Sequence, residues 1–328
     1  MVDIIIPWVD DSDPVWRKDF ELYSKKYFGD NREVRYRDWG TLKYLFRGID
    51  KFMPWVRKVH FVTYGHIPCW LNLDAPRLNF VKHSDFIPCE YLPTFSINPI
   101  EMNLFRIEGL AEKFIYFNDD TFVLSDLTEE RFFRNGLPCD YLSCNVISPN
   151  NQGIEHIICN DLGLINDIFD KKLVLMKNWH KFFSPRLFRG WYRTLALMPW
   201  RLFTGFVDPH LPNAYLKNTF TILWDKFPKQ LYATSLNKFR SLSDVNQYLA
   251  RYYQLCSGNF YPYNVWKDSK FISLDDESIP FIAEFIKKQK KKIICINDNQ
   301  NIRDFDFARK MIIDSFQYIL PEKSSFEI

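Results

Sequence analysis

The feature that most constrains the fold of this 328-residue chain is a set of short apolar runs, each of which ends in polar residues. Such runs are typical of buried strands, and the polar residues mark the points where the strands leave the core. The runs cover residues 2–9, 59–63, 78–81, 114–117 and 293–296. We therefore predict a strand in each of these segments.

Two segments between the runs have the spacing of amphipathic helices. They cover residues 39–52 and 99–113, and their apolar stripes consist of Leu42, Leu45, Phe46 and Ile49 in the first and Ile100, Leu104, Ile107 and Leu110 in the second. Asn98, Pro99 and Glu101 fit the N-cap, the first-turn proline and the third-position acid of a capping box. We therefore expect the second helix to begin there.

Strands that alternate with helices predict an α/β fold, with a mostly parallel sheet that helices cover on both faces. In such sheets ligands bind beyond the carboxyl ends of the strands, where this sequence repeatedly places Asp and Asn. Pro7 lacks an amide hydrogen, which argues against a central position for the first strand.

The composition excludes some classes of function. Basic and acidic residues number 43 and 40, a net charge of +3 that is too balanced for a protein held on nucleic acid by phosphate neutralisation. The seven cysteines include no C-x-x-C pair, which favours reduced thiols over a zinc site or a disulfide framework. The N-terminus lacks a signal-peptide pattern and no window approaches 18 apolar residues, so we expect a cytoplasmic protein.

The chain divides by pattern into three parts. Residues 1–145 form the α/β core, residues 146–207 lose the strand–helix alternation, and residues 208–328 are mainly helical and contain the last strand. Within the middle part, residues 182–203 combine aromatic side chains with the basic residues Arg186, Arg189, Arg193 and Arg201. Such a segment fits a membrane interface, and it fits equally a buried lid whose arginines reach the surface. The lysine run at 287–292 is interpreted as a solvated helix end, although it would also favour anionic lipid.

The sharpest local signal is the adjacent pair Asp119 and Asp120, which follows Asn118 at the end of a buried run. Two carboxylates in one place are costly unless a cation or hydrogen-bond donors compensate them. Oxygen ligands at a strand end suit Mg²⁺ or Mn²⁺ shared with a substrate diphosphate. The alternative is an Asx-rich turn that caps a helix. Asp298 lies in a similar Asn-Asp-Asn pattern at the end of run 293–296.

Three further segments carry candidate residues. Among Asp10, Asp11 and Asp13, one acid is expected to cap a helix over residues 15–27, and the others remain for binding. His210 lies between two prolines, which fix its direction, although a lone histidine is more often structural. Arg240 suits a phosphate clamp or an ion pair with an acid. P-loop, dinucleotide-binding, hydrolase-elbow and zinc-protease motifs are absent from the sequence.

Four ordered blocks of the chain resemble the Stealth family of sugar-phosphate transferases. The blocks are residues 8–14, the motifs spread over 35–120, residues 209–212 with 239–240, and residues 295–299. Asp11 stands in place of the family's usual glycine in the first block. The resemblance implies a glycosyltransferase-A-like core with a helical insertion. It also implies transfer of an intact hexose-1-phosphate or N-acetylhexosamine-1-phosphate from a UDP-sugar to a sugar hydroxyl, with release of UMP.

The resemblance further implies catalytic roles for Asp120, His210, Arg240 and Glu101, the last of which conflicts with a capping role. Expected substrate-binding residues in the same blocks are Trp8, Asp10, Asp13, Arg37, Lys43, Arg47 and Asn118. A divalent cation, Mg²⁺ or Mn²⁺, is expected at Asp119, Asp120 and Asp298. The expected acceptor is a growing surface polysaccharide or its lipid-linked precursor at the inner membrane face, with membrane contact by residues 182–203.

Two other functions are compatible with parts of the sequence. A metal-dependent glycosyltransferase of the same fold would release UDP instead of UMP. A non-catalytic glycan-binding protein would account for the aromatic residues and leave the carboxylates at several strand ends unexplained.

Overall fold

The structure is a computed structural model that describes residues 1–26, 38–149, 153–298 and 302–328. Its strands are β1 (Val2–Pro7), β2 (Val59–Thr63), β3 (Leu78–Lys82), β4 (Lys113–Tyr116), β5 (Thr121–Val123), β6 (Phe133–Arg134), β7 (Leu137–Asp140), β8 (Asn213–Leu216), β9 (Tyr261–Pro262), β10 (Ser269–Ser273) and β11 (Ile293–Asn297). Its helices are α1 (Pro14–Ser24), α2 (Leu42–Phe52), α3 (His83–Phe86), α4 (Ile97–Asn103), α5 (Glu155–Ile168), α6 (Lys171–Phe182), α7 (Trp191–Leu197), α8 (Lys217–Lys226), α9 (Pro228–Leu236), α10 (Tyr248–Ser257), α11 (Ser278–Lys287) and α12 (Phe305–Ile319).

The main sheet has the strand order β3-β2-β1-β4-β8. The first four strands in that order run parallel, and β8 pairs with β4 in the antiparallel direction. Along β1, Ile5 belongs to one apolar core and Ile4 and Ile6 belong to the other, because successive side chains of a strand point to opposite faces. The predicted α/β fold, with a mostly parallel sheet covered on both faces, is confirmed.

The expectation that Pro7 keeps β1 from the centre of the sheet is wrong. Successive amide groups along β1 point alternately toward its two neighbouring strands. The amide of Ile4 donates to the carbonyl of Lys58, just before β2, and the amide of Trp8 donates to the carbonyl of Val62 in β2. Pro7 therefore faces the β4 side, where β4 has already ended with Tyr116 opposite Ile5. The amide of Phe117 still donates to the carbonyl of Ile5, so the missing amide hydrogen of Pro7 falls where the pairing of β1 with β4 ends.

The fifth predicted strand, β11, lies in a second sheet with the order β10-β11-β5. β5 follows β4 after the turn at residues 118–120, so the second sheet begins at the carboxyl end of β4. The amide of Ile296 donates to the carbonyl of Asp120 at 2.9 Å. This pairing brings the end of β11 next to the carboxylate pair. A third sheet has the order β6-β7-β9.

The second predicted helix differs most from the expectation. α4 begins after Ser96, whose side chain accepts from the amide of Asn98, and it ends at Asn103, where a 3₁₀ turn over Leu104–Arg106 follows. The capping box predicted from Asn98 and Glu101 is therefore wrong. The apolar stripe itself is buried as predicted, but its second half is held by tertiary packing without a helix.

The segment 146–207 leaves and rejoins the core at neighbouring points. Cys144 and Phe206 form an isolated antiparallel bridge, and the amides of Asn145 and Val207 donate across it to Gly205 and Ser143. The described part of this segment carries α5, α6 and α7. Across the described ranges, no helix is long and apolar enough to cross a membrane.

Candidate active site

A cavity of about 270 Å³ opens at the carboxyl ends of β1, β3 and β4. It brings together residues that lie up to 233 positions apart in the chain, from Pro7 to Arg240. The lining residues are Pro7, Trp8, Val9, Trp16, His83, Thr94, Phe95, Ser96, Ile97, Ile100, Tyr116, Asn118, Asp119 and Arg240. Four of the predicted site residues, Trp8, Asn118, Asp119 and Arg240, therefore lie on its wall.

The acids after β1 shape the loop at the edge of this cavity. Asp13 is the N-cap of α1, and its Oδ1 accepts from the amide of Trp16 at 2.8 Å. Asp10 Oδ1 accepts from the amide and the hydroxyl of Ser12 at 2.9 and 2.6 Å. Both carboxylates are thus committed to the loop, and neither residue lines the cavity. These hydrogen bonds set the course of the loop that leads into α1, and the expected contact of Asp10 and Asp13 with substrate stays a prediction.

One wall of the cavity is aromatic, which sequence analysis did not identify. Phe95 lies between Tyr64 and Phe239, with ring centroids 5.9 and 5.3 Å away and nearly parallel planes. Trp16 meets Phe95 edge-on at 5.7 Å. The stack fixes the backbone immediately before Arg240, because Phe239 is buried within it. The four aromatic residues come from four separate segments of the chain, so no local sequence pattern predicts the stack.

Asn118, Asp119 and Asp120 form the turn between β4 and β5, in which the amide of Thr121 donates to the carbonyl of Asn118 at 3.2 Å. Asp119 lines the cavity and stays exposed at its surface. Desolvation of the carboxylate by nearby protein atoms, followed by the neighbouring charge of Asp120, raises the pKa of Asp119 to about 7. The alternative interpretation, an Asx-rich turn that caps a helix, is wrong because strand β5 follows the turn, and the binding role of the three residues stays a prediction.

His210 lies beside Asp120, with its Nε2 3.7 Å from Asp120 Oδ2. Its backbone φ is +48°, in the left-handed region that a non-glycine residue seldom adopts. Burial opposes charging of the ring, but the Asp120 carboxylate outweighs it, with help from Asp208 and Glu101, so the pKa of His210 is raised. Asp208 is itself held by Arg251 and Tyr252.

Glu101 lies behind the cavity and is only 4% exposed. Its Oε1 accepts from the hydroxyl of Tyr116 at 2.9 Å, and its Oε2 accepts from the amide of Gln247 at 3.1 Å. Burial raises the pKa of Glu101 to about 7, although these hydrogen bonds and the charge of Arg240 act in the opposite direction. Glu101 therefore connects the end of β4 with the segment that carries Arg240.

The ligand atoms of Asp120, His210 and Cys295 lie within 4.8 Å of one another. Mg²⁺ prefers oxygen ligands, and this group offers one carboxylate, one imidazole and one thiol. Burial raises the pKa of Cys295 well above its usual value, so the thiol keeps its proton. These three residues suit a site that holds a proton better than a magnesium site.

The adjacent carboxylates of Asp119 and Asp120 fit a divalent cation better. Both supply oxygen ligands, and a cation would offset both the desolvation of Asp119 and the neighbouring charge of Asp120 that raise its pKa. Asp298, the third expected ligand, follows β11 near Asp120, and its Oδ2 accepts from the indole of Trp39 at 3.0 Å.

Two other predicted substrate-binding residues, Lys43 and Arg47, are not among the described residues that line the cavity. The guanidinium of Arg47 is buried and bound to Glu327 and to the carbonyl of Leu320, which gives it a structural role, and its expected contact with substrate stays a prediction. Lys43 also lies on α2, with its Nζ 5.2 Å from the ring centroid of Tyr44. Arg37 lies outside the described residues.

His83 is a cavity residue that sequence analysis did not single out. It begins α3 directly after β3, is 7% exposed, and meets the ring of Tyr64 edge-on. Its Nδ1 is enclosed without a hydrogen-bond partner among the described residues, and burial lowers the pKa of the ring to about 3. His83 follows the apolar run at residues 78–81, just as the acids Asp119 and Asp120 follow the run at 114–117. The same pattern could therefore have identified it as a candidate site residue.

Comparison with known proteins identifies a matching family model and several relatives of this chain. The family model described as Stealth protein CR2, conserved region 2, matches residues 35–139. Capsular polysaccharide phosphotransferase WcwK of Streptococcus pneumoniae is 40% identical over 99% of this chain and 98% of its own length. Receptor polysaccharide phosphotransferase WefC of Streptococcus gordonii is 38% identical over 100% and 99% of the two chains. Exopolysaccharide phosphotransferase cps2G of Lactiplantibacillus plantarum is 37% identical over 99% and 96%.

Among solved structures, galactosyltransferase LgtC in complex with donor and acceptor sugar analogs aligns over 96% of this chain and 95% of that chain, at 9% identity and a TM-score of 0.38. The sequence relatives are far closer, because their identity of more than a third extends over nearly the whole length of both partners. This chain is therefore a transferase that belongs to the Stealth family of polysaccharide phosphotransferases.

Proposed function

We propose that this phosphotransferase moves a hexose-1-phosphate or N-acetylhexosamine-1-phosphate from a UDP-sugar to a hydroxyl group of a growing surface polysaccharide. The products are a phosphodiester and UMP. The observation that carries the proposal is the placement of the His210–Asp120 pair next to a cavity that also contains Asp119 and Arg240. Relatives named as polysaccharide phosphotransferases support the acceptor class.

In the proposed reaction the acceptor hydroxyl gives its proton to the pair formed by His210 and Asp120. The acceptor oxygen bonds to the β-phosphorus, which carries the sugar, while the bond from that phosphorus to the oxygen bridging to the α-phosphate breaks. UMP leaves with the bonding electrons. The raised pKa of His210 increases the proton affinity of the ring, which suits a group that accepts a proton during the attack.

Arg240 is proposed to bind the equatorial oxygens of the phosphate that is transferred. A guanidinium presents donors in a planar fork that matches phosphate, and it keeps its charge throughout the reaction. Glu101 orients this region through Tyr116 and Gln247. Three aromatic side chains that line the cavity, Trp8, Trp16 and Phe95, are suited to holding the uracil and the sugar by stacking.

A divalent cation, Mg²⁺ or Mn²⁺, is proposed at Asp119 and Asp120, where it would offset the charge of the diphosphate. Removal of divalent cations with EDTA is then expected to abolish turnover, and Mn²⁺ or Mg²⁺ to restore it. Binding of Mn²⁺ followed by electron paramagnetic resonance, in the protein and in Asp119→Asn, tests the ligand role without reference to activity. Equal affinity in both proteins would contradict it.

The proposed acceptor is a polysaccharide chain or its lipid-linked precursor, and the proposed location is the cytoplasmic face of the membrane with peripheral contact. No role for nucleic acid is proposed, because the net charge of +3 is small for such a partner.

The test follows the β-phosphate of the donor. UDP-sugars labelled with ³²P at the β-phosphate are incubated with the enzyme and a lipid-linked glycan fraction, and the label is located by chromatography. Transfer of label to the glycan together with release of unlabelled UMP is expected. Label in UDP would mean that the bond between sugar and phosphate breaks, as in an ordinary glycosyltransferase. His210→Ala serves as the inactive control, and label in the glycan with that variant would overturn the role of His210.

A further inference from the structure

The surface of the segment 171–202 exposes an unusual concentration of apolar side chains. The described residues expose 24 large apolar side chains, and nine of them lie in this short stretch. Their exposed fractions run from 46% for Met198 to 68% for Phe188. The nine are Leu173, Met176, Trp179, Phe188, Tyr192, Leu195, Met198, Trp200 and Leu202. We call them the α6–α7 surface. A concentration of this kind marks an interaction site in a folded protein.

Helical geometry explains why these side chains point outward. α6 buries Val174, Asn178 and Phe182, which recur at intervals of four residues along one face. Leu173, Met176 and Trp179 occupy the opposite side. In α7 the buried residues are Thr194 and Leu197, so Tyr192 and Leu195 are left outside.

The surface is held firmly from below. The ammonium group of Lys171 is buried and donates to the carbonyl groups of Leu197 and Trp200 at 2.6 and 2.9 Å, which ties the end of α7 to the start of α6. Trp191 is half-buried and donates from its indole to Ser184 at 3.0 Å. The exposed side chains therefore stand on a packed layer and not on a frayed chain end.

The charge of the segment has one sign. Residues 171–207 contain no Asp or Glu and eight Lys or Arg, whereas the whole chain is nearly balanced at 43 basic and 40 acidic residues. Lys171 and Lys181 use their ammonium groups on main-chain carbonyls. Six further cations lie at the exposed surface, namely Lys172, Lys177, Arg186, Arg189, Arg193 and Arg201.

We infer that the α6–α7 surface docks the protein on an anionic lipid bilayer. Exposed Trp, Phe, Leu and Met side chains enter the headgroup region, and the surrounding cations pair with lipid phosphates. An anionic bilayer is favoured because the segment exposes apolar side chains together with six cations and contains no acid. Such a bilayer has an apolar interior and negatively charged headgroups. The described residues of the cavity wall include none from the segment, which leaves no support for a lid over the cavity.

The docking surface is linked to the proposed active site by a short covalent path. Val207 pairs with Ser143 at the base of the segment, and the loop with Asp208 and His210 follows at once. Leu202 of the α6–α7 surface and His210 are eight positions apart, so at most about 29 Å of chain separates the docking surface from the proposed base. The docking inference does not depend on the phosphotransferase chemistry, and its test measures binding alone.

The test is flotation of the full chain with vesicles in physiological salt. We expect binding to vesicles of phosphatidylcholine with phosphatidylglycerol and little binding to phosphatidylcholine alone. The charge variant Lys172→Gln/Lys177→Gln/Arg189→Gln should bind on the order of 100-fold more weakly, because each basic residue at an anionic surface contributes a factor of about five. Trp179→Ser/Phe188→Ser/Trp200→Ser removes the apolar anchors and should also reduce binding at least tenfold, given about 25 cal/mol per Å² of apolar surface.

Matched controls use exposed residues elsewhere. Lys287→Gln/Lys288→Gln/Lys290→Gln removes three cations from the lysine run, and Phe281→Ser/Phe307→Ser removes exposed rings. Both controls should bind like the unaltered protein. The inference is overturned if the unaltered protein ignores anionic vesicles, if the lysine-run variant alone loses binding, or if sedimentation without lipid reveals a dimer that the α6–α7 variants dissociate. The glutamine variant changes only exposed side chains, so a folding defect does not obscure its result.

Discussion

At the scale of single residues, the site depends on a few side chains whose directions are set by their neighbours. His210 is turned toward Asp120 by a strained backbone between two prolines. Arg240 follows Phe239, which is locked into the aromatic stack. Glu101 is held by Tyr116 and the amide of Gln247. The sequence supplied the identity of these residues through a family resemblance, but their contacts come from segments that lie far apart in the chain.

Arg240→Ala is expected to lower kcat by roughly two to four orders of magnitude, as loss of a group that stabilises transition-state charge does. Arg240→Lys should recover only part of the rate, because an ammonium group lacks the planar fork. Steady-state kinetics with the labelled donor checks this result. Arg303→Ala, which alters a highly exposed arginine, is the control. A folded Arg240→Ala protein with near-full turnover would refute the role.

His83 predicts a pH dependence of stability. Its pKa is about 3 in the folded protein against 6.5 for the free side chain, because burial disfavours the charged ring. Between these values the unfolded chain binds a proton that the folded chain does not, so its contribution to stability is complete above pH 6.5. It is lost, by at most about 1.4 kcal/mol for each pH unit, as the pH falls toward 3.

Urea unfolding at pH 7, 6 and 5 measures this contribution. The unaltered protein should lose stability over this range more steeply than His83→Asn, in which the side chain does not titrate. His180→Asn, at an exposed histidine, should follow the unaltered protein. Parallel pH profiles for the unaltered protein and His83→Asn would contradict the burial argument.

At the scale of elements, apolar periodicity identified strands and helices well where the pattern was long, and less well at their ends. α2 and all five predicted strands are confirmed, whereas α4 is much shorter than the stripe over residues 99–113. Ile107 and Leu110 are buried as the stripe requires, but Gly109 between them has φ of +70°, which a helix does not allow. The apolar periodicity therefore predicted correctly that Ile107 and Leu110 are buried, but it predicted incorrectly that the backbone around them is helical.

Close packing of α2 on β5 yields a test with an internal control. A Cβ added at Gly48 would lie 2.6 Å from the carbonyl oxygen of Val123, whereas a Cβ at Gly163 in α5 would meet nothing within 4 Å. Gly48→Ala should therefore cost about 1–3 kcal/mol, since the backbone of β5 has to move. Gly163→Ala should stabilise by about 0.5–1 kcal/mol, because alanine favours a helix. Thermal unfolding compares the two, and equal shifts of the same sign would contradict the packing argument.

At the scale of the whole molecule, the C-terminal residues return to the N-terminal core. Phe326 is fully buried against Phe46 of α2, and the amide of Asn72 donates to the carbonyl of Phe326 at 2.8 Å. The buried pair Arg47–Glu327, with Nη2 and Oε2 2.8 Å apart, closes the same contact. The C-terminal residues therefore complete the apolar core that covers one face of the main sheet.

Loss of one partner of this pair is expected to be costly, because it leaves a buried charge uncompensated. Glu327→Ala should reduce the free energy of unfolding by about 3 kcal/mol, and the double variant Arg47→Met/Glu327→Ala should lose less than the sum of the two single changes. Chemical denaturation of the four proteins measures the coupling. Strict additivity would mean that the pair does not act as a unit.

The sequence by itself determined the fold class, the position of the strands, the carboxylates at strand ends and, through its four blocks, the family. These features depend on local periodicity and on motifs that a reader of the chain sees directly. Tertiary structure alone decided which polar residues share the cavity. It gave Asp10 and Asp13 hydrogen bonds within the loop after β1, paired Arg47 with Glu327, placed His83 on the cavity wall and left the apolar side chains of α6 and α7 exposed. These outcomes depend on the packing of segments that lie far apart in the chain. A side chain's burial and hydrogen bonds are set by neighbours from such segments, and a local sequence pattern does not identify those neighbours.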